Sequence, residues 1–373
     1  MAQARSNGTG SLAHSRRAPL PPTPCLAVDR DVLDRNISRL ANFAAGAGLT
    51  LRPHVKTHKC PQIAHRQLAA GAVGICVATI GEAEVFVDAG FTDVFIAYPI
   101  WVDSARARRL LALAERARIQ IGADSHEGVE ALARRLGASR GAVEVLVEID
   151  SGHHRTGCAP GQAGEIAAAA QRAGLSVQGV FTFPGHGYRP GAADQAARDE
   201  SLALRLAAAS FDATGQRCDV RSGGSSPTAT LSDNSALTEI RPGVYVFGDA
   251  QQLELGRCEY SDLALTALAT VVSRRRNHIV LDAGSKILGA DRPDWTTGFG
   301  RLADYLEARV IALSEHHATV EFPDSVALPE LGSVLRVVPN HVCAAVNLVD
   351  ELNVFADSEC IDQWPVCARG ANS

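Results

Sequence analysis

The chain has 373 residues, 46% hydrophobic and 21% charged, an ordinary globular mix that excludes fibrous and wholly disordered classes. Its 36 basic and 41 acidic residues leave a formal charge of -5, and no basic stripe marks a nucleic-acid partner. Nine cysteines stand singly, with no C-x-x-C pair, the pattern of reduced thiols in a cytoplasmic protein.

Residues 1–20 hold Gly, Ser, Arg and Pro without an apolar stretch. They read as a disordered leader and not as a secretory signal. No apolar run reaches the ~18 residues that a membrane helix needs. Eight strand-like runs follow, at 49–53, 74–78, 94–97, 119–123, 143–149, 178–183, 218–222 and 244–247. Helical patterns fill the gaps: from Asp29 as N-cap through Leu40, at 81–89 ended by Gly90, and at 102–117, 125–137, 161–173 and 192–213. This alternation predicts parallel strands with helices outside. A closed (β/α)8 TIM barrel over residues 21–257 is the economical solution, and an open doubly wound sheet is the alternative. From Cys258 the texture changes to short strand-like runs separated by Gly, Pro and Asp. Residues 258–373 therefore read as a separate antiparallel β domain.

The active face of such a barrel is the C-terminal end of its strands. After the first strand comes Arg52-Pro53-His54-Val55-Lys56-Thr57-His58-Lys59; after the fifth, Asp150-Ser151-Gly152-His153-His154-Arg155. Pro184-Gly185-His186-Gly187-Tyr188 and Ser222-Gly223-Gly224-Ser225 follow the sixth and seventh, and Arg241-Pro242-Gly243 leads into the eighth. Each cluster alone has a bland reading as a surface loop or tight turn. Glycines, however, let backbone N–H groups approach a ligand, and flanking hydroxyls add donors, so the Ser-Gly-Gly-Ser turn suits a phosphate. With a lysine, an arginine and histidines at the same mouth, pyridoxal phosphate fits.

The segment Arg52 to Lys59 resembles the Schiff-base segment of the D-threonine aldolase and D-serine dehydratase family, pyridoxal-phosphate enzymes with an alanine racemase-like barrel. The resemblance spans roughly residues 22–370. It includes Glu148 to Gly152, the Ser-Gly-Gly-Ser turn, Arg241 to Phe247, and Pro339-Asn340-His341-Val342-Cys343. It implies that Lys56, not Lys59, is the Schiff-base lysine, and that Arg155 contacts the cofactor's phenolic oxygen. Ser222, Gly223 and Gly224, with the amides of Gly243 and Val244, would form the phosphate cup. His186 and Tyr188 would lie near the ring and substrate, and either Arg241 or Tyr245 would face the pyridine nitrogen.

His341 and Cys343 are two apart, and on a strand such residues share a face. The resemblance implies that they hold a metal, and an N/S pair favours zinc over manganese or magnesium. It also implies a homodimer in which His341 and Cys343 face the partner's Lys56. The expected activity is that of a lyase on β-hydroxy-D-amino acids, with a deaminating elimination favoured. Retro-aldol cleavage to glycine and an aldehyde, or racemisation, are the alternatives. A small amino acid is the expected partner, with no nucleic acid and no membrane.

Overall fold

A computed structural model describes residues 21–373, and the leader expected over 1–20 lies outside the described residues. The described residues open with β1 (Cys25–Asp29). Asp29 then caps the first helix, Arg30–Gly46, by accepting from the amides of Asp31 and Val32, which satisfies donors that a helix start leaves free. Eight parallel strands follow: β2 (Thr50–Leu51), β3 (Ile75–Val77), β4 (Asp93–Pro99), β5 (Arg118–Ala123), β6 (Val143–Glu148), β7 (Ser176–Phe181), β8 (Val220–Gly223) and β9 (Glu239–Ile240). Their order is β2-β9-β8-β7-β6-β5-β4-β3. Hydrogen bonds from Val73 N to Leu51 O (2.9 Å) and Cys76 N to Pro53 O (2.8 Å), with a His54–Cys76 bridge, join the two ends. The sheet therefore closes into the expected barrel.

The strands read as nearly continuous apolar runs because both faces are covered. Ile75, Val94, Ile119, Val145 and Val180 pack outward against helices, while Cys76, Phe95, Leu146 and Phe181 fill part of the interior. Below the mouth the interior is charged. Arg52 pairs with Glu239 (2.8 Å) and Asp93 (2.5 Å), and Ser222 Oγ donates to Glu239 (2.6 Å).

The eighth strand is not where the sequence suggests. Glu239–Ile240 pairs with β2 and β8, whereas Val244–Val246 forms a 3-10 turn. A two-residue strand with a buried glutamate has no β signature, and the apolar Val-Tyr-Val-Phe run is explained by burial between barrel and second domain.

The second domain contains β10 (Leu265–Arg275), β11 (His278–Leu281), β12 (Gly300–Leu302), β13 (Arg309–Leu313), β14 (Ala318–Glu321), β15 (Val334–Pro339), β16 (Glu351–Ala356) and β17 (Glu359–Pro365). A β10–β11 pairing closes six strands of its sheet into a ring, and β1 extends that sheet, antiparallel to β10 and parallel to β16. The chain's first strand thus belongs to the second sheet, a contact that the sequence does not announce. No helix among the described residues is long and apolar enough to cross a membrane.

Candidate active site

A cavity of about 680 Å³ opens at the C-terminal ends of the barrel strands. Lys56, on the 3-10 turn Val55–Thr57 directly after β2, lines it together with His54 and Thr57. Lys59 does not. Its Nζ is buried against Glu82 (3.3 Å) and Asn347 Oδ1 (2.8 Å). His58 is also internal: its Nδ1 accepts from Cys60 N and its Nε2 meets Gln67, and burial lowers its pKa to about 4. His54 is different. Burial, then Lys56 and Arg241, hold its imidazole well below the usual range, and its buried Nδ1 has no hydrogen-bond partner among the described residues.

The loops after β6 and β7 bring Arg155, His153, Phe183 and Tyr188 to the cavity. The Arg155 guanidinium lies 5.2 Å from the centre of the Phe183 ring, and His153 meets the same ring edge-on at 5.4 Å. His186 stands behind them and is not part of the lining. Both ring nitrogens are buried without a hydrogen bond, and Nε2 is 3.4 Å from Asp199. Of these two imidazoles, His153, from the motif Gly152-His153-His154, lines the cavity, and the expected His186 does not. The Tyr188 phenol is pushed up by burial and by the charges of Cys343 and Asp249, with hydrogen bonds from Ser226 as a partial offset. It stays protonated at neutral pH.

Arg241 lines the cavity from the barrel side. It donates to Ser222 Oγ (2.8 Å) and Thr182 O (2.5 Å) and lies over Phe95 and Phe181. Tyr245 points elsewhere, accepting from Gln67 Nε2 at 2.9 Å outside the lining. Of Arg241 and Tyr245, only Arg241 lines this cavity. Of the residues expected to form a phosphate cup, Gly224, Gly243 and Val244 line the cavity, and Ser222 and Gly223 do not. Ser222 is fully buried and spent on Glu239 and Arg241, and Gly223 faces Glu200. Ser225 and Ser226 join Gly224, Gly243 and Val244 along that part of the cavity wall. The Gly243 amide has no partner among the described residues, and a Cβ at Gly243 would collide with Thr57 and the His54 carbonyl. Glycine is required there by close approach.

His341 and Cys343 line the same cavity as the chain's own Lys56, and Cys343 Sγ is 3.3 Å from Thr57 Oγ1. This corrects the expectation that the pair faces a partner's lysine, because β15 delivers the segment onto its own barrel. The strand argument also fails, since His341 caps the short helix Val342–Val346. The pair converges through a helical turn, not through a pleat. Burial alone would raise the Cys343 thiol, but His341, Thr57 and Lys56 outweigh it and lower its pKa. His341 is moved well above its usual value, against burial, by Cys343 and Asp249. Asp249, fully buried, accepts from Gln252 N (2.8 Å) and Val342 N (3.3 Å) and lies 3.6 Å from His341 Nδ1. Orientation of a ligating imidazole by a carboxylate is a common arrangement. No cluster of three or more such donors exists among the described residues, so this pair would leave positions open for water or substrate.

Gln251, Asp291, Arg292 and Pro293 complete the lining. Nothing in the sequence marks them. Asn340 holds the loop that carries three of them, its Nδ2 donating to Asp291 O (3.0 Å) and Gly298 O (2.9 Å).

Residues 28–251 match the family described as "Alanine racemase, N-terminal domain", and residues 264–355 match "Putative serine dehydratase domain". The chain is 34% identical to D-threo-3-hydroxyaspartate dehydratase of Delftia sp., over 92% of this chain and 96% of that one. A solved structure of that relative, 32% identical over the structurally matched region, superimposes with a TM-score of 0.85, covering 92% and 97% of the two chains. D-threonine aldolase from Filomicrobium marinum is 32% identical with a TM-score of 0.84, over 94% and 96%. D-serine dehydratase of Dictyostelium discoideum is 27% identical over 92% and 95%.

Proposed function

The chain belongs to the D-threonine aldolase and D-serine dehydratase family of alanine racemase-like enzymes, and on that premise we propose that it is a pyridoxal-phosphate- and metal-dependent lyase that dehydrates and deaminates β-hydroxy-D-amino acids. One observation carries the reading: Lys56 and the His341–Cys343 pair share a single cavity. The relatives named for dehydration or aldol cleavage support it.

The residues fit the cofactor. Lys56 would hold it covalently. The hydroxyls of Ser226 and Tyr188 and the free Gly243 amide would hold its phosphate, Arg155 its phenolic oxygen and Arg241 its ring nitrogen. An arginine can only donate, so a nitrogen facing it stays unprotonated. The unpartnered His54 Nδ1 is a further polar atom that a bound group would satisfy. Bound there, the cofactor supplies an electron sink at the substrate's α-carbon, and a divalent ion on His341 and Cys343 supplies a Lewis acid, with zinc suited to N/S donors. Lys56 has no carboxylate within ion-pair distance among the described residues and takes the α-proton as general base. Phe183, with Arg155 across its face, closes one wall and limits water. The aldolase branch of the family carries aspartate at the position of Cys343, so cysteine there supports elimination of the β-hydroxyl. Retro-aldol cleavage is the second reading. It is favoured by His153, an imidazole kept neutral by burial and Arg155 and thus able to accept the hydroxyl proton. Racemisation leaves the metal pair without a role. A cytoplasmic homodimer completes the proposal.

The test is Cys343→Ser. A packed thiol tolerates serine at a cost of about 1 kcal/mol; a metal ligand does not. The variant should keep its fold and bound pyridoxal phosphate, lose metal and most lyase activity, and still exchange the substrate's α-proton in deuterated water. Chelation of the parent should reproduce that split and zinc should reverse it. Full metal content and full turnover in the variant would refute the metal role.

A further inference from the structure

Glu200 sits in the middle of the helix Ala193–Ala213, on a face otherwise lined by Ala193, Ala196, Ala197, Leu204 and Ala207. It is fully buried. A carboxyl in such a place is costly unless it is held by hydrogen bonds. Its Oε1 accepts from the Gly224 amide at 2.7 Å, while Oε2 is buried without a partner among the described residues. The backbone is shaped around it. A Cβ at Gly223 would collide with this carboxyl, and Gly224 adopts φ +74°, a conformation that glycine allows. The Gly224 amide is therefore not free for a ligand, although the residue borders the cavity. A Ser-Gly-Gly turn that reads as a phosphate loop spends one of its amides on a helix behind it.

From Gly224 the connection runs forward. Ser225 N donates to Thr228 Oγ1 (2.9 Å), and Ser226 Oγ accepts from Val244 N (3.0 Å). Ser226 also hydrogen-bonds Tyr188. Resting on the cofactor assignment above, we propose that Glu200 is a positioning residue for the cofactor's phosphate: it pins the Gly223–Gly224 turn so that Ser226, Tyr188 and the Gly243 amide face the cavity together. The charged group acting on Glu200 is Arg241, and burial raises the carboxyl to about 7. Ionisation above neutral pH places a negative charge directly behind the phosphate position and weakens its hold.

The test measures cofactor binding, not turnover. Dissociation constants for pyridoxal phosphate and for unphosphorylated pyridoxal are determined for the parent, Glu200→Leu and Glu200→Gln, with circular dichroism as the control for folding. Glu200→Leu keeps bulk and removes the acceptor. It should weaken pyridoxal phosphate at least about tenfold, the worth of one good hydrogen bond, and leave pyridoxal within about twofold. Glu200→Gln retains an acceptor and should restore phosphate-dependent binding. Equal losses for both ligands in Glu200→Leu, or no loss, would overturn the proposal. If the leucine variant does not fold, the pH dependence of Glu200→Gln decides. Between pH 6.5 and 8.5 the parent should lose at least about threefold more affinity than Glu200→Gln, because glutamine cannot ionise; coincident profiles would overturn the proposal. A parent that binds no pyridoxal phosphate at all would refute the cofactor assignment itself, an outcome distinct from every variant result.

Discussion

Lys56 and Lys59 lie three positions apart in one motif and meet opposite fates. Lys59 is an internal cation, paired with Glu82 and capped by Asn347; Lys56 faces the cavity. Borohydride treatment of the protein with bound pyridoxal phosphate should attach the cofactor to Lys56 alone, as peptide mass mapping would show. Lys56→Ala should lose that label while keeping its melting temperature. Lys59→Met should keep the label but destabilise the fold by about 3–5 kcal/mol, since Glu82 is left as a buried unpaired charge. A label on Lys59 or Lys286 would contradict the assignment. Lys56, Arg155, Arg241, His341 and Cys343 are picked out in the sequence by the family resemblance of their motifs, and all five line the cavity. His153 against His186 is not legible. Both imidazoles follow strands, and only the packing of His186 over Gly152 shows which one is excluded. Glu200 is equally silent, since a glutamate in an alanine-rich helix looks like a solvated one.

At the scale of elements, β15 matters most. It ends at Pro339 and hands His341 and Cys343 to the mouth of its own barrel. Asn340 ties down the loop between Asp291 and Gly298. Asn340→Leu should release that loop, with faster amide exchange over 291–298 and a loss of about 1–2 kcal/mol from two broken hydrogen bonds. Unchanged exchange would show that the loop is held by other contacts. Strands with strong apolar runs, such as β5 and β6, are predicted at nearly their true positions. β9 and β1 are not. β9 is two residues long and uses a salt-bridged glutamate, and β1 acquires its identity from β10 and β16, more than 200 residues away. Periodicity reports burial and says little about long-range pairing.

For the whole molecule, buried carboxyls couple stability to pH. Glu148 is pushed up to about 7 by burial, only partly relieved by Thr156, Arg155 and Arg241, and Glu200 reaches about 7 in the same way. In the unfolded chain both lie near ~4.3. A raised folded pKa gives stability that is complete below pH ~4 and is lost as pH rises through 7, because the native state holds protons that the unfolded state has released. Each group contributes on the order of 3 kcal/mol across that interval. Urea denaturation of the apoprotein from pH 5 to 8 should therefore show a steeper decline in the parent than in the Glu148→Gln, Glu200→Gln double variant. Parallel curves would mean that both carboxyls are solvated.

One cavity joins Lys56 to the His341–Cys343 pair, and the proposed chemistry there is metal-assisted elimination at the β-carbon. Product analysis with D-serine, D-threonine and D-threo-3-hydroxyaspartate tests it most directly. Zinc-loaded protein should release ammonia and a 2-oxo acid in equal amounts from at least one of the three, and lose that release on chelation. Glycine with an aldehyde as the products, or ammonia release that survives metal removal, would contradict it.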